Sequence, residues 1–98
     1  MEKERKITPL FLKTYTQKFD LQTIFLLDLS KKGIGNVGSL PECTNLLMLD
    51  LSYNQLMMIT GLDTLSSLKH INLSYNKLTS IDALKGCPLL EKIEAQGN

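Results

Sequence analysis

The feature that most constrains this chain is a repeat of 22 residues. Ile24, Leu46, Leu68 and Leu90 stand at equal intervals, and four rows fall into register behind them. They read Ile24-Phe25-Leu26-Leu27-Asp28-Leu29-Ser30, Leu46-Leu47-Met48-Leu49-Asp50-Leu51-Ser52-Tyr53-Asn54, Leu68-Lys69-His70-Ile71-Asn72-Leu73-Ser74-Tyr75-Asn76 and Leu90-Glu91-Lys92-Ile93-Glu94-Ala95-Gln96-Gly97-Asn98. The rest of each unit is periodic too. Ile34, Leu56 and Leu78 share one column, then Val37, Ile59 and Ile81, then Leu40, Leu62 and Leu84, then Cys43, Leu65 and Cys87. The first apolar positions alternate with period two, as on a short strand with one buried face. One such unit cannot cover its own apolar side, but stacked units bury it in a continuous core under one parallel sheet. Behind each asparagine, apolar residues recur every three positions, which predicts short helical or 3₁₀ turns on the outer, convex side.

The pattern L-x-x-L-x-L-x-x-N-x-L-x-x-I-x-x-L-x-x-L-x-x resembles the leucine-rich repeat in its short intracellular form, over residues 24–98. The resemblance implies an α/β leucine-rich repeat solenoid, with parallel strands lining a concave face. It also implies a non-catalytic scaffold or adaptor. Intracellular proteins of this repeat type bind protein partners such as phosphatases, dynein chains and splicing components, and several work in cilia or on microtubules.

The ends are read separately. Residues 1–6 are polar and mixed in charge and predict a frayed, flexible terminus. Residues 7–23 predict a helical cap on the first repeat. Thr8 is placed to cap a helix over 8–17, Pro9 suits its first turn, and Ile7 is a staple residue before it. Leu10, Phe11, Leu12, Tyr15 and Phe19 are the apolar surface expected to pack on the repeats. The fourth unit runs only from 90 to 98, so the chain reads as three full repeats and one partial, truncated repeat. An apolar edge at Ile81, Leu84, Leu89 and Ile93 is then under-covered, and self-association through that carboxy-terminal edge is one reading.

Asparagine at the end of each strand suits a turn in which a buried amide bonds the backbone of its own and the neighbouring repeat. Asn54, Asn76 and Asn98 are expected to form such a ladder. Lys32 holds the same position in the first repeat, which predicts an irregular first turn adjusted by Gly33 and Gly35.

No catalytic constellation emerges. Cys43 and Cys87 lie two repeats apart, about 9–10 Å at the spacing of neighbouring strands, beyond the roughly 7 Å a disulfide spans; they read as small buried residues. Two cysteines and one histidine do not make a zinc site. Gly33-Ile34-Gly35-Asn36-Val37-Gly38 lacks the lysine and hydroxyl of a phosphate loop and reads as turn glycines. His70 reads as a solvent-exposed residue of the sheet. No cofactor and no metal is expected.

What remains is the concave face, read by column. Leu26, Met48, His70 and Lys92 form one column and Asp28, Asp50, Asn72 and Glu94 the next. Ser30, Ser52, Ser74 and Gln96 follow, then Lys31, Tyr53, Tyr75 and Gly97, all expected to face outward. Exposed methionine and tyrosine adapt well to partner surfaces, and an acidic row steers toward a basic partner. The expected partner is a basic, partly apolar protein segment bound at Leu26, Asp28, Met48, Asp50, Tyr53, His70, Asn72, Tyr75, Lys92 and Glu94. With 11 basic against 10 acidic side chains, nucleic acid is disfavoured. A ribonucleoprotein subunit of the same repeat type remains the alternative. No apolar run is long enough to span a membrane, no signal-peptide core follows Met1, and the default location is the cytosol, with nucleus or cilium as variants.

Overall fold

The computed structural model describes residues 5–38, 40 and 43–98. Four three-residue strands make a parallel sheet: β2 (Leu26–Asp28), β4 (Met48–Asp50), β5 (His70–Asn72) and β6 (Lys92–Glu94), in that spatial order. Register follows the repeat without slippage: Leu26 faces Met48, Met48 faces His70 and His70 faces Lys92. The middle residues Leu27, Leu49 and Ile71 point into the core, and their neighbours on either side point out or are half-buried.

Between strands the chain turns on hydrogen bonds repeated unit by unit. Cys43 N–H donates to Leu40 C=O, Leu65 N–H to Leu62 C=O and Cys87 N–H to Leu84 C=O. The next bond in each unit runs from Leu46 to Cys43, Leu68 to Leu65 and Leu90 to Cys87. These three-residue closures make 3₁₀ turns at Leu62–Thr64 and Asp82–Gly86. The same bond links Ile24 to Leu21, so the column of Cys43, Leu65 and Cys87 already begins at buried Leu21. Nearly all the columns read from the sequence are buried, from Ile34, Val37 and Leu40 through Leu56, Ile59 and Leu62 to Leu78 and Leu84. Each such side chain contributes about 1.5–3 kcal/mol on burial. Ile81 and Ile93 are the exceptions, both exposed, and Leu90 is half-buried.

The amino-terminal segment differs from expectation in three respects. Residues 1–4 lie outside the described residues, but Arg5 and Lys6, expected in a frayed terminus, form a strand, β1. It pairs in parallel with β3 (Ile34–Asn36), through Arg5 N–H to Gly33 C=O at 3.0 Å and Ile7 N–H to Asn36 C=O at 3.1 Å. The glycine-rich stretch is therefore partly a strand and not only a turn. Gly38 closes it at φ +70°, where an added Cβ would fall 2.2 Å from the Ile7 carbonyl oxygen.

Next comes helix α1 (Pro9–Thr16). Thr8 caps it from an extended backbone, its hydroxyl oxygen accepting from Phe11 N–H at 3.1 Å, and Pro9 opens the first turn. Ile7 and Leu12 are both buried in the common core. Finally, Leu10, Tyr15 and Phe19 are exposed rather than packed inward. Thr16 donates to Leu12 C=O, Gln17 takes a left-handed φ of 58°, and the chain swings outward before Phe19 reaches the core.

Candidate protein-docking face

Each strand ends in the same device. The Asp28 carboxylate accepts from both the N–H (2.9 Å) and the hydroxyl (2.7 Å) of Ser30, and Asp50 does the same for Ser52 at 2.9 and 2.6 Å. Asn72 accepts from Ser74 N–H at 3.0 Å through its amide oxygen. These are Asx turns that end the strand by satisfying the N–H two residues on. The Ser30 N–H first, and its hydroxyl second, hold the Asp28 carboxyl below its ordinary value. The acidic row is thus half structural: one oxygen of Asp28 and of Asp50 is committed to the turn. Neither carboxylate has an ion-pair partner among the described residues.

The turn corrects one column. Ser52 and Ser74, expected to face outward, are 5% exposed. Period-two alternation ends with the strand, and the turn rotates the serines inward. Next in the chain, Lys31, Tyr53 and Tyr75 adopt left-handed φ of 56°, 57° and 60°, with Gly97 at 69°. The Tyr53 and Tyr75 rings stack at 4.6 Å between centroids, 17° from parallel. Lys31 Nζ lies 5.3 Å from the Tyr53 ring centroid, and an added Cβ on Gly97 would fall 2.5 Å from Tyr75 Cδ1. The stack is therefore covered at both ends, and what it offers outward is ring edges and hydroxyls.

Beneath lies the asparagine array. The Asn54 side-chain oxygen accepts from Lys32 N–H and Ile34 N–H, and its amide donates to the carbonyls of Leu29, Leu51 and Ser52. Asn76 accepts from Leu56 N–H and donates to Leu51, Leu73 and Ser74. Asn98 accepts from Leu78 N–H and donates to Leu73, Ala95 and Gln96. Each asparagine serves the turn before its own. The first turn, where Lys32 stands, is thus closed by Asn54 from the second repeat. Lys31 keeps the φ of its column; the turn differs in an extra left-handed residue, Gly33 at 68°, and in a second N–H, that of Lys32, bonded to its asparagine.

The outward columns divide into two halves. On β2 and β4, Leu26 is 69% exposed and Met48 is also exposed, near the unpaired charges of Asp28 and Asp50; Phe25 and Leu47, just before the strands, are exposed as well. Tyr15 of α1 borders this half, its hydroxyl donating to Asp28 C=O at 2.9 Å. On β6 the charges meet each other: Lys92 Nζ lies 3.2 Å from Glu94 Oε1, and His70 Nε2 of β5 lies 3.7 Å from the same oxygen. The His70 side chain, expected in solvent, is only 23% exposed, and its Nε2 has no hydrogen-bond partner. The structure thus sets Leu26, Met48, Asp28 and Asp50 together as one surface. His70, Asn72, Lys92 and Glu94 form a second, self-neutralised one. Phe25 and Leu47 were missing from the sequence-based set because they precede the strands.

Cys43 and Cys87 are buried in the core, and burial first, with the Asp63 charge second, raises the Cys87 thiol, disfavouring the nucleophilic thiolate. Among the described residues no cluster of His, Cys, Asp and Glu could hold a metal ion, and no helix is long and apolar enough to cross a membrane.

A family model described as leucine rich repeat matches residues 59–98. No curated protein matches the chain. The matched segment contains β5 and β6, and the bonds that repeat there also run through residues 24–58. The match supports a leucine-rich repeat family, and the parallel strands with few helices fit an α/β repeat fold.

Proposed function

We propose that the whole chain is a leucine-rich repeat solenoid with α1 as its amino-terminal cap, acting as a non-catalytic scaffold that docks a protein on the concave face of its sheet. Leucine-rich repeat domains generally mediate protein–protein interaction, and the family is typically non-catalytic. The segment from Ile7-Thr8-Pro9 to Leu21-Gln22-Thr23-Ile24 also resembles the amino-terminal region of leucine-rich repeat-containing protein 61, a likeness that adds no chemistry.

One observation carries the reading: Leu26 of β2 and Met48 of β4 are paired and exposed, Phe25 and Leu47 just before them are exposed too, and Asp28 and Asp50 on the same strands have no ion-pair partner among the described residues. An exposed apolar patch with a charged border marks an interaction site. Its complement is a basic, partly apolar protein segment, and a cytosolic, nuclear or ciliary setting suits such a scaffold.

The test compares proteins captured by the native chain and by a Leu26→Lys, Asp50→Asn variant. Leu26 is exposed, and asparagine preserves the turn as Asn72 does in β5, so the variant keeps the native melting temperature. Partners are expected to be lost from the variant and kept by an off-face control, Lys85→Glu. An identical set of captured proteins for all three moves the site off the sheet.

A second reading rests on an apolar groove beside β6. There Ile81, Leu84, Cys87, Leu90 and Ile93 line a groove of about 600 Å³. Association of two copies through it is checked by light scattering over a concentration series. A mass that stays monomeric at every concentration removes that reading.

A further inference from the structure

Helix α1 carries a surface that the sheet-face reading does not use. Phe19 is 91% exposed and Leu10 75% exposed. Neither is loosely placed. Thr8 caps the helix, Thr16 bonds both Leu12 C=O and Lys18 N–H, and left-handed Gln17 reverses the chain. Phe19 is thereby brought beside the helix, where Lys13 Nζ lies 5.7 Å from its ring centroid. Leu10, Lys13, Thr14, Gln17, Lys18 and Phe19 together line an open groove of about 480 Å³.

The charge of this groove is one-sided. Lys13 and Lys18 have no ion-pair partner among the described residues. Asp20, the nearest acid in sequence, instead turns its carboxylate to Gln22 N–H at 3.0 Å to start the turn at Leu21–Thr23. A cationic rim around exposed leucine and phenylalanine is the reverse of the acidic rim around Leu26 and Met48. The two surfaces therefore select opposite partners.

We infer that the groove between Leu10 and Phe19 is a second docking site, taking an acidic protein segment that presents an apolar side chain between carboxylates. The apolar side chain enters the groove, and the carboxylates pair with Lys13 and Lys18. A membrane surface fits less well. Two lysines fall short of the basic clusters of about 4–8 residues that hold anionic lipid.

The test is a titration of the ¹⁵N-labelled chain with a synthetic peptide of one leucine flanked by glutamates. A control peptide carries lysines in place of the glutamates. The glutamate peptide is expected to shift the amides of Leu10, Lys13, Lys18 and Phe19. Its binding should weaken with added salt and by about tenfold in a Lys13→Glu, Lys18→Glu variant. All four side chains face solvent or lie half-buried, so the variant should melt with the native chain; Phe19→Ala should weaken binding as well. Three results overturn the proposal. One is equal binding of the lysine peptide. Another is unchanged affinity after charge reversal. The third is no shift at the helix while phosphatidylserine vesicles or a second copy of the chain produce one.

Discussion

Tyr53 and Tyr75 stack ring on ring, 4.6 Å between centroids, from backbone positions that both lie in the left-handed region. An L-residue costs about 1–2 kcal/mol there; the stack contributes about 0.5–1.5 kcal/mol in return. Removing the ring separates the two effects. Tyr53→Ala keeps the backbone strain and loses the stack, whereas Tyr53→Gly loses both. The glycine variant is expected to be more stable than the alanine variant by about 1 kcal/mol in urea unfolding, although glycine is ordinarily the more costly residue. The reverse order would show that the left-handed turn is not maintained.

The asparagines divide by burial. Asn76→Ala strands the buried Leu56 N–H and takes one of two amide donors from the carbonyls of Leu51 and Leu73, which keep Asn54 and Asn98; it is expected to cost about 2–3 kcal/mol. Asn72→Ala loses one half-buried bond to Ser74 N–H, and should cost about 1 kcal/mol or less. Equal shifts in the two denaturation midpoints would contradict the array.

Gly38→Ala tests the amino-terminal strand. Its φ of +70° and the Ile7 carbonyl 2.2 Å from an added Cβ leave no room for a side chain. The variant is expected to lose about 2 kcal/mol or more. Amide exchange should speed first at Arg5 and Ile7, whose N–H groups bond Gly33 and Asn36. Loss of protection spread evenly over the sheet would place the effect elsewhere.

Asp28 sets an acid limit. Its carboxyl is held below the ordinary value of 3.8 by the Ser30 N–H and hydroxyl. The folded group thus releases its proton at lower pH than the unfolded one. The stability it supplies is complete above 3.8 and is lost as pH falls through the depressed folded value. Asp28→Asn keeps an acceptor in the same place, as Asn72 does in β5. It lacks the charge, so it should be less stable than the native chain at neutral pH, and the two should converge as pH falls below 3.8. Parallel acid-unfolding curves would show that the turn does not favour the charged carboxylate.

Much of the fold was legible because its period is written in the sequence. Ile34, Leu56 and Leu78 share a column and are all buried, and Leu26, Met48, His70 and Lys92 lie in one row across four strands. The misreadings have local causes. Ser52 and Ser74 turned inward because the Asx turn ends the alternation two residues early. Phe19 came out to solvent because left-handed Gln17 redirected the chain. Arg5 and Lys6 formed a strand through backbone bonds to β3, with the Arg5 guanidinium over the Phe11 ring, and no side-chain pattern announced it. Part of the division of the docking face was hidden because His70 approaches Glu94, which Lys92 already meets on β6, only once β5 and β6 are paired.

The central claim is that the apolar and acidic half of the sheet, on β2 and β4, receives a basic partner. The most direct measurement is a titration of the ¹⁵N-labelled chain with two synthetic peptides that carry the same leucines and differ only in arginine against glutamate. The arginine peptide is predicted to shift the amides of Phe25, Leu26, Leu47, Met48 and Asp50, to lose affinity with salt, and to lose its advantage over the glutamate peptide in Asp28→Asn, Asp50→Asn. Shifts confined to the half around His70, Lys92 and Glu94, or equal binding of the two peptides, would contradict the division of the face. No shift on the sheet with either peptide would contradict the docking function itself.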